Sequence, residues 1–220
     1  YDTRKTGRTI YHGLAGDHYP QQITIKSALP KLSYIPADQN LSGLLVELVN
    51  LPKREYFLRQ FVNAMRHNFD YILIDLPPSL SLLTINGMMA ADEVIIPVQA
   101  EYFSLEGLSQ LLRTIGLVKR NLGHDLKVTG AVLTMYDSRN RLGEEVMHDI
   151  RSHFPHHIFN TYIPRAIALA EAPSYGKTIL TYAPDSSGAK AYNLLALEII
   201  AQENEESFKS RSGQIIFVQD

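Results

Sequence analysis

Asp75 ends the apolar run Tyr71-Ile72-Leu73-Ile74, and Pro77 and Pro78 follow it almost at once. Proline lacks the N–H and fixes φ, so two in succession stop a strand ladder. A carboxylate at the carboxyl end of an apolar strand lies where open α/β sheets meet their ligands. It is also where Mg²⁺ is held beside nucleotide phosphates. The same side chain could instead cap the turn after the strand, because Asp bonds readily to its own downstream backbone. Val94-Ile95-Ile96-Pro97-Val98 follows as a second apolar strand, after a short helical stretch.

A phosphate grip would need G-x-x-x-x-G-K-[ST], whose glycines let backbone N–H groups close around the oxygens. Residues 1–220 contain no such run. Gly176-Lys177-Thr178 has its last three letters, but Glu171 stands where the first glycine belongs and would repel a phosphate. Thr6-Gly7-Arg8-Thr9 has Arg for Lys and no earlier glycine. His153, His156 and His157 could be drawn as a metal cluster, but no acidic or Cys partner stands at ligand spacing, and we read them as a solvated helix end. Arg139, Arg141, Lys177 and Lys190 are candidate phosphate contacts or simply solvated cations.

Strands alternating with helical stretches must position these groups. Leu41, Leu44, Leu45 and Leu48 recur at helical spacing, and Phe57, Phe61 and Met65 predict another helix within 53–68. The clearest amphipathic helix begins near Ser104 and carries Leu105, Leu108, Leu112, Ile115, Val118 and Leu122. Lys127–Thr134 reads as a strand, residues 142–154 as a helix, and Ile158–Thr161 and Thr178–Thr181 as short strands. The last helix runs from about Ala189 to Gln202. This alternation predicts βαβ units and an α/β fold: doubly wound, mostly parallel, with helices on both faces. Residues 1–203 make one domain, and 204–220 read as a poorly ordered tail in which Ile215-Ile216-Phe217-Val218 is an isolated apolar run.

The bulk properties narrow the partners. Net charge is −2, so no global basic field advertises nucleic acid, and any DNA contact must sit on one face. No cysteine is present, which excludes disulfides and thiolate metal sites. No run of 18 apolar residues exists, and Ser212-Gly213 breaks the periodicity a membrane-binding tail helix would need, so no membrane partner is expected.

The run YILIDLPPSLSLLTINGMMAADEVIIPVQAEYFSLEGLSQLL (71–112) resembles the ParA/Soj family of partition ATPases, relatives of MinD. GAVLTMYDSRNRL (130–142), TYIPRAIALAEAPSYGKTI (161–179) and DSSGAKAYNLLALEII (185–200) agree in the same order. The resemblance implies a P-loop NTPase-like fold that binds ATP and Mg²⁺ and forms an ATP-bound homodimer. That dimer binds DNA without sequence preference, and a ParB/Spo0J-like partner stimulates hydrolysis. Chromosome or plasmid partitioning, and a cytoplasmic, nucleoid-associated location, are the implied setting. Asp75 corresponds to the Walker B carboxylate that orients Mg²⁺ through water, and Pro77 and Pro78 shape the loop after it. Met135, Pro164 and Arg165 lie where the family wraps adenine, and Arg139 matches a DNA-backbone contact. Ala168 stands where the family often has a further arginine, so DNA contact would lean on Arg165, Arg141 and Lys190.

The resemblance also places the family's deviant P-loop, with its signature lysine and the D-x-D-type motif, upstream of anything matching residue 1. The expectation is therefore a chain without the first β-α-β unit, exposing two strand edges and prone to aggregate. Such a chain would bind ATP weakly or not at all and would not hydrolyse it. The alternative is a naturally truncated, non-catalytic paralogue acting as a protein-binding module.

Overall fold

A computed structural model describes residues 7–77, 81–102, 104–206 and 215–218, with Glu205, Glu206 and the last four by backbone alone. The first third of the chain is a helical lobe. It contains α1 (Ile10–Leu14), α2 (Pro20–Ile23), a two-stranded antiparallel ribbon of β1 (Ile25–Lys26) and β2 (Ser33–Tyr34), α3 (Asn40–Leu48) and α4 (Phe57–Asn63). Leu14, Ile23, Leu44, Leu48, Phe61 and Met65 bury one another at its centre.

The main sheet begins with β3 (Leu73–Leu76), continues through α5 (Leu82–Ala90), β4 (Glu93–Gln99), α6 (Ser104–Leu122) and β5 (Lys127–Thr134), and is followed by α7 (Arg141–His153). Two short helices, α8 (Ile167–Glu171) and α9 (Ile179–Tyr182), lead to the long α10 (Ser187–Glu206). The two faces of β4 enter different cores. Val94, Ile96 and Val98 pack with α5, α6 and α7, whereas Ile95 packs with Val132, Phe159 and the α10 residues Ala191 and Leu195. Helices cover both faces of the sheet, which explains why β4 and β5 read as continuous apolar runs rather than alternating ones.

The tail departs from expectation. Ile215–Val218 is a strand, β6, and the sheet order is β3-β6-β4-β5. β6 lies parallel to both of its neighbours, pairing Leu73↔Ile215 through Leu76↔Val218 on one side and Glu93↔Ile215 through Ile95↔Phe217 on the other. The two facing edges predicted to stand open are therefore joined by the chain's own last apolar run. The helix before it also runs four residues past the expected Gln202.

Three further expectations are corrected. The helix read over 53–68 is broken into a 3₁₀ turn at Arg54–Tyr56, α4, and another 3₁₀ turn at Arg66–Asn68. The buried Asn86 side chain explains the break: its Oδ1 accepts from the Leu58 N–H (3.1 Å) and its Nδ2 donates to the Arg54 carbonyl (2.8 Å). Ile158–Thr161 makes only an isolated bridge, Ala131↔Ile158. Thr178–Thr181 overlaps α9 instead of a strand, with the Tyr182 N–H donating to the Thr178 carbonyl at 2.8 Å and its ring stacked on Tyr175 at 5.1 Å. A four-residue apolar run does not distinguish one helical turn from a short strand.

Gly87 sets how closely α5 approaches β3. A Cβ there would meet the buried Leu76 side chain, with Cγ only 2.9 Å away. Gly87→Ala should therefore cost about 1–3 kcal/mol through overpacking, read as a lower urea midpoint at unchanged slope. Ending the chain after Glu206 should leave β3 and β4 unpaired toward each other and produce aggregates. Size-exclusion chromatography with light scattering reads this directly, and a monodisperse product with the parent's melting temperature would show that β6 contributes nothing.

Candidate functional site

Every pairing in the main sheet is parallel, so the carboxyl ends of its strands share one edge. Asp75 is the third residue of β3, with an exposed side chain, and Pro77 follows, also exposed. Pro78 lies outside the described residues. From Asp75, two strand steps lead to the end of β4 and three to the end of β5, about 10 and 15 Å at ordinary strand spacing.

Backbone hydrogen bonds stitch together the loops leaving β4 and β5 and the segment between α7 and α8. The Ala100 N–H donates to the Thr134 carbonyl (3.0 Å), Tyr136 to Ile163 (3.1 Å) and Arg165 to Tyr136 (3.0 Å). Met135 sits at the centre of this network with φ 52°, a left-handed conformation that costs a non-glycine residue about 1 kcal/mol or more. Its side chain remains exposed. Pro164 bridges Tyr136, which brings Met135, Pro164 and Arg165 into one cluster.

The arginines of this edge are each engaged. Arg139 folds back on Asp137, its Nε 2.9 Å from Oδ1 and its Nη2 2.8 Å from Oδ2. These hydrogen bonds, helped by the Arg165 charge, hold the Asp137 carboxyl down at about 2, so it is ionised at any working pH. Arg165 donates to Glu101 at 2.9 Å, linking the segment between α7 and α8 to the loop after β4. Arg141 opens α7 and donates to Glu145 at 3.1 Å. Lys190 lies apart, exposed on the first turn of α10. Spacing in the sequence signals the Asp137–Arg139 pair, two residues apart in a loop. The Arg165–Glu101 pair joins positions 64 residues apart and has no local signature.

For a metal, the edge offers Asp75, since its other carboxylates, Glu101 and Asp137, already hold Arg165 and Arg139. Among the described residues no group of three or more His, Cys, Asp or Glu could hold an ion, and His153, His156 and His157 are exposed. One carboxylate fits Mg²⁺, which is commonly bound by one or two carboxylates with phosphate oxygens and water completing the shell. Gly176-Lys177-Thr178 forms the turn between a 3₁₀ segment and α9, not a phosphate loop opening a long helix.

Comparison with known proteins bears on the family and the fold. A family model described as an AAA domain matches residues 1–128. The chromosome partitioning protein ParA of Caulobacter vibrioides is 45% identical over 204 residues, covering 92% of this chain and 76% of that protein. The sporulation initiation inhibitor protein Soj of Bacillus subtilis is 45% identical over 192 residues, covering 87% and 76%. Among solved structures, cobyrinic acid a,c-diamide synthase from Mycobacterium smegmatis with bound ADP and magnesium superposes with a TM-score of 0.79 at 29% identity, covering 97% of this chain and 78% of that one. The acidic β3 edge, the parallel sheet and these likenesses over most of the sequence place the chain in the ParA/Soj family of partition ATPases.

Proposed function

We propose that the chain is the greater part of a chromosome or plasmid partition ATPase whose nucleotide site lies along the carboxyl edge of its sheet. The observation that carries this reading is the alignment of Asp75 with the Met135–Arg165 cluster on that one edge. In this reading Asp75 orients Mg²⁺ through water, Pro77 sets the direction of the loop leaving β3, and Met135, Pro164 and Arg165 contact the base. Mg²⁺, when bound, neutralises charge on the phosphates and orients them for attack by water. Solved relatives in the same fold carry ADP with magnesium, which supports the cofactor assignment.

The phosphates themselves need backbone N–H groups and a lysine that residues 1–220 do not supply as a G-x-x-x-x-G-K-[ST] run. Nucleotide binding by these residues alone is accordingly weak. Arg139, Arg141, Arg165 and Lys190 serve as the contacts to the DNA backbone, which is bound without sequence preference by an ATP-loaded homodimer. A ParB/Spo0J-like protein is the partner that stimulates turnover.

A second reading, a non-catalytic module that binds a partner protein, draws support from β6. It occupies the strand position next to Asp75, between β3 and β4. The two readings part on nucleotide. Asp75→Ala should abolish Mg²⁺-dependent, ATP-driven dimer formation of the full-length protein in light scattering, with the circular dichroism spectrum unchanged. Dimer formation equal to the parent's would refute the assignment of Asp75. Arg139→Glu should weaken binding to a random-sequence duplex at every salt concentration and lower the log–log salt slope by about one. Curves that overlay the parent's across the salt series would remove Arg139 from the DNA surface.

A further inference from the structure

Arg139, exposed in the loop after β5, already holds a carboxylate in the geometry that would meet a phosphate. Arg139 presents its Nε and Nη2 to the two oxygens of Asp137 as a parallel fork. That fork is how guanidinium recognises phosphate, so one arginine cannot give both partners its full set of hydrogen bonds. Asp137 is also the better fixed of the two. Its Oδ1 accepts from the Arg139 backbone N–H at 3.0 Å and its carbonyl accepts from Asn140 at 3.0 Å, so the receptor is built into the turn. The Arg139 side chain is 87% exposed and that of Asp137 only 30%, so solvent and any ligand approach from the arginine side.

A second arginine–carboxylate pair lies across the stitched loops, where Arg165 donates one hydrogen bond to Glu101, and the Arg165 charge also reaches Asp137. Glu101, Asp137, Arg139 and Arg165 thus form a cluster of two cations and two anions with no net charge, on a chain whose overall charge is −2. A surface meant to hold a polyanion as tightly as possible would carry the arginines without the carboxylates.

We propose that Asp137, with Glu101 in support, is a built-in competitor for the DNA backbone that keeps the affinity of this surface low and reversible. This rests on the DNA-binding reading given above. Exposed ion pairs are weak, so a strong phosphate field opens them, and the arginines return to their carboxylates when DNA leaves. Each arginine released from its partner becomes one more cation available for counterion exchange along the duplex.

The test is fluorescence anisotropy of a labelled random-sequence duplex, titrated with the full-length protein in ATP and Mg²⁺ over a series of salt concentrations. Asp137→Asn keeps the side-chain shape and an acceptor for the Arg139 N–H, so the turn is preserved, as a thermal melt would verify. This variant should bind about two- to fivefold more tightly at low salt. It should also steepen the log–log slope by about 0.9. Glu101→Gln should act in the same direction, and the double variant should exceed either. Asp17→Asn, which removes an exposed carboxylate outside this cluster, should change affinity by less than twofold. An equal gain in Asp17→Asn would reduce the effect to net charge and overturn the proposal. So would an unchanged affinity in Asp137→Asn while Arg139→Glu still weakens binding. If Arg139→Glu also matches the parent, the DNA-binding reading itself has failed.

Discussion

Two parallel strands separated by the width of one strand cannot belong to a single sheet until something pairs with both. β3 and β4 stand in that relation: β3 is paired to β6, β6 to β4, and only then does β4 meet β5. The backbone groups on the facing sides of β3 and β4 would otherwise be unpaired in the interior, at a cost comparable to losing each hydrogen bond. Everything at the carboxyl edge inherits its position from this closure. Asp75 is aligned with the Met135 loop because β6 holds β3 in the same plane and direction as β4 and β5, with α5 packed on β3 through Gly87 and Leu76.

The edge so formed combines order with restraint. Backbone bonds from Leu133 and Tyr136 to the 163–165 segment flank Met135 in its left-handed conformation, a strain typical of residues placed for contact with a ligand. Beside it, Arg139 holds Asp137 at 2.8 Å and Arg165 holds Glu101 at 2.9 Å. Rigid backbone with locally neutralised side chains suits a surface that binds and lets go, since the loop keeps its shape while the arginines exchange one anionic partner for another.

How much of this could be read in advance follows from the range of each interaction. β4 and β5 were legible because burial on both faces leaves an unbroken apolar run, and α6 and α7 because one buried stripe imposes a helical period. The Asp75 strand was legible because prolines end it abruptly. The break in the helix over 53–68 was hidden, since its stripe of Phe57, Phe61 and Met65 still faces one core and the interrupting groups come from Asn86, about 30 residues away. β6 was hidden for a related reason. Ile215-Ile216-Phe217-Val218 shows an apolar strand in need of burial, but nothing in its own pattern says which edge it will join. Residue roles at the site rest on resemblance, whereas the pairing of Arg165 with Glu101 needed the folded loops.

Pro97 shows how the same closure limits itself. Proline removes a ladder donor and is ordinarily excluded from strands flanked on both sides. β4 has a neighbour on both sides through Ile95, where its pairing with β6 ends, while its pairing with β5 continues through Gln99. Among the described residues, β4 is therefore an edge on its β6 side from Ile96 onward, and the proline falls within that stretch. A strand in this position that continued past Ile95 would meet the missing donor at Pro97.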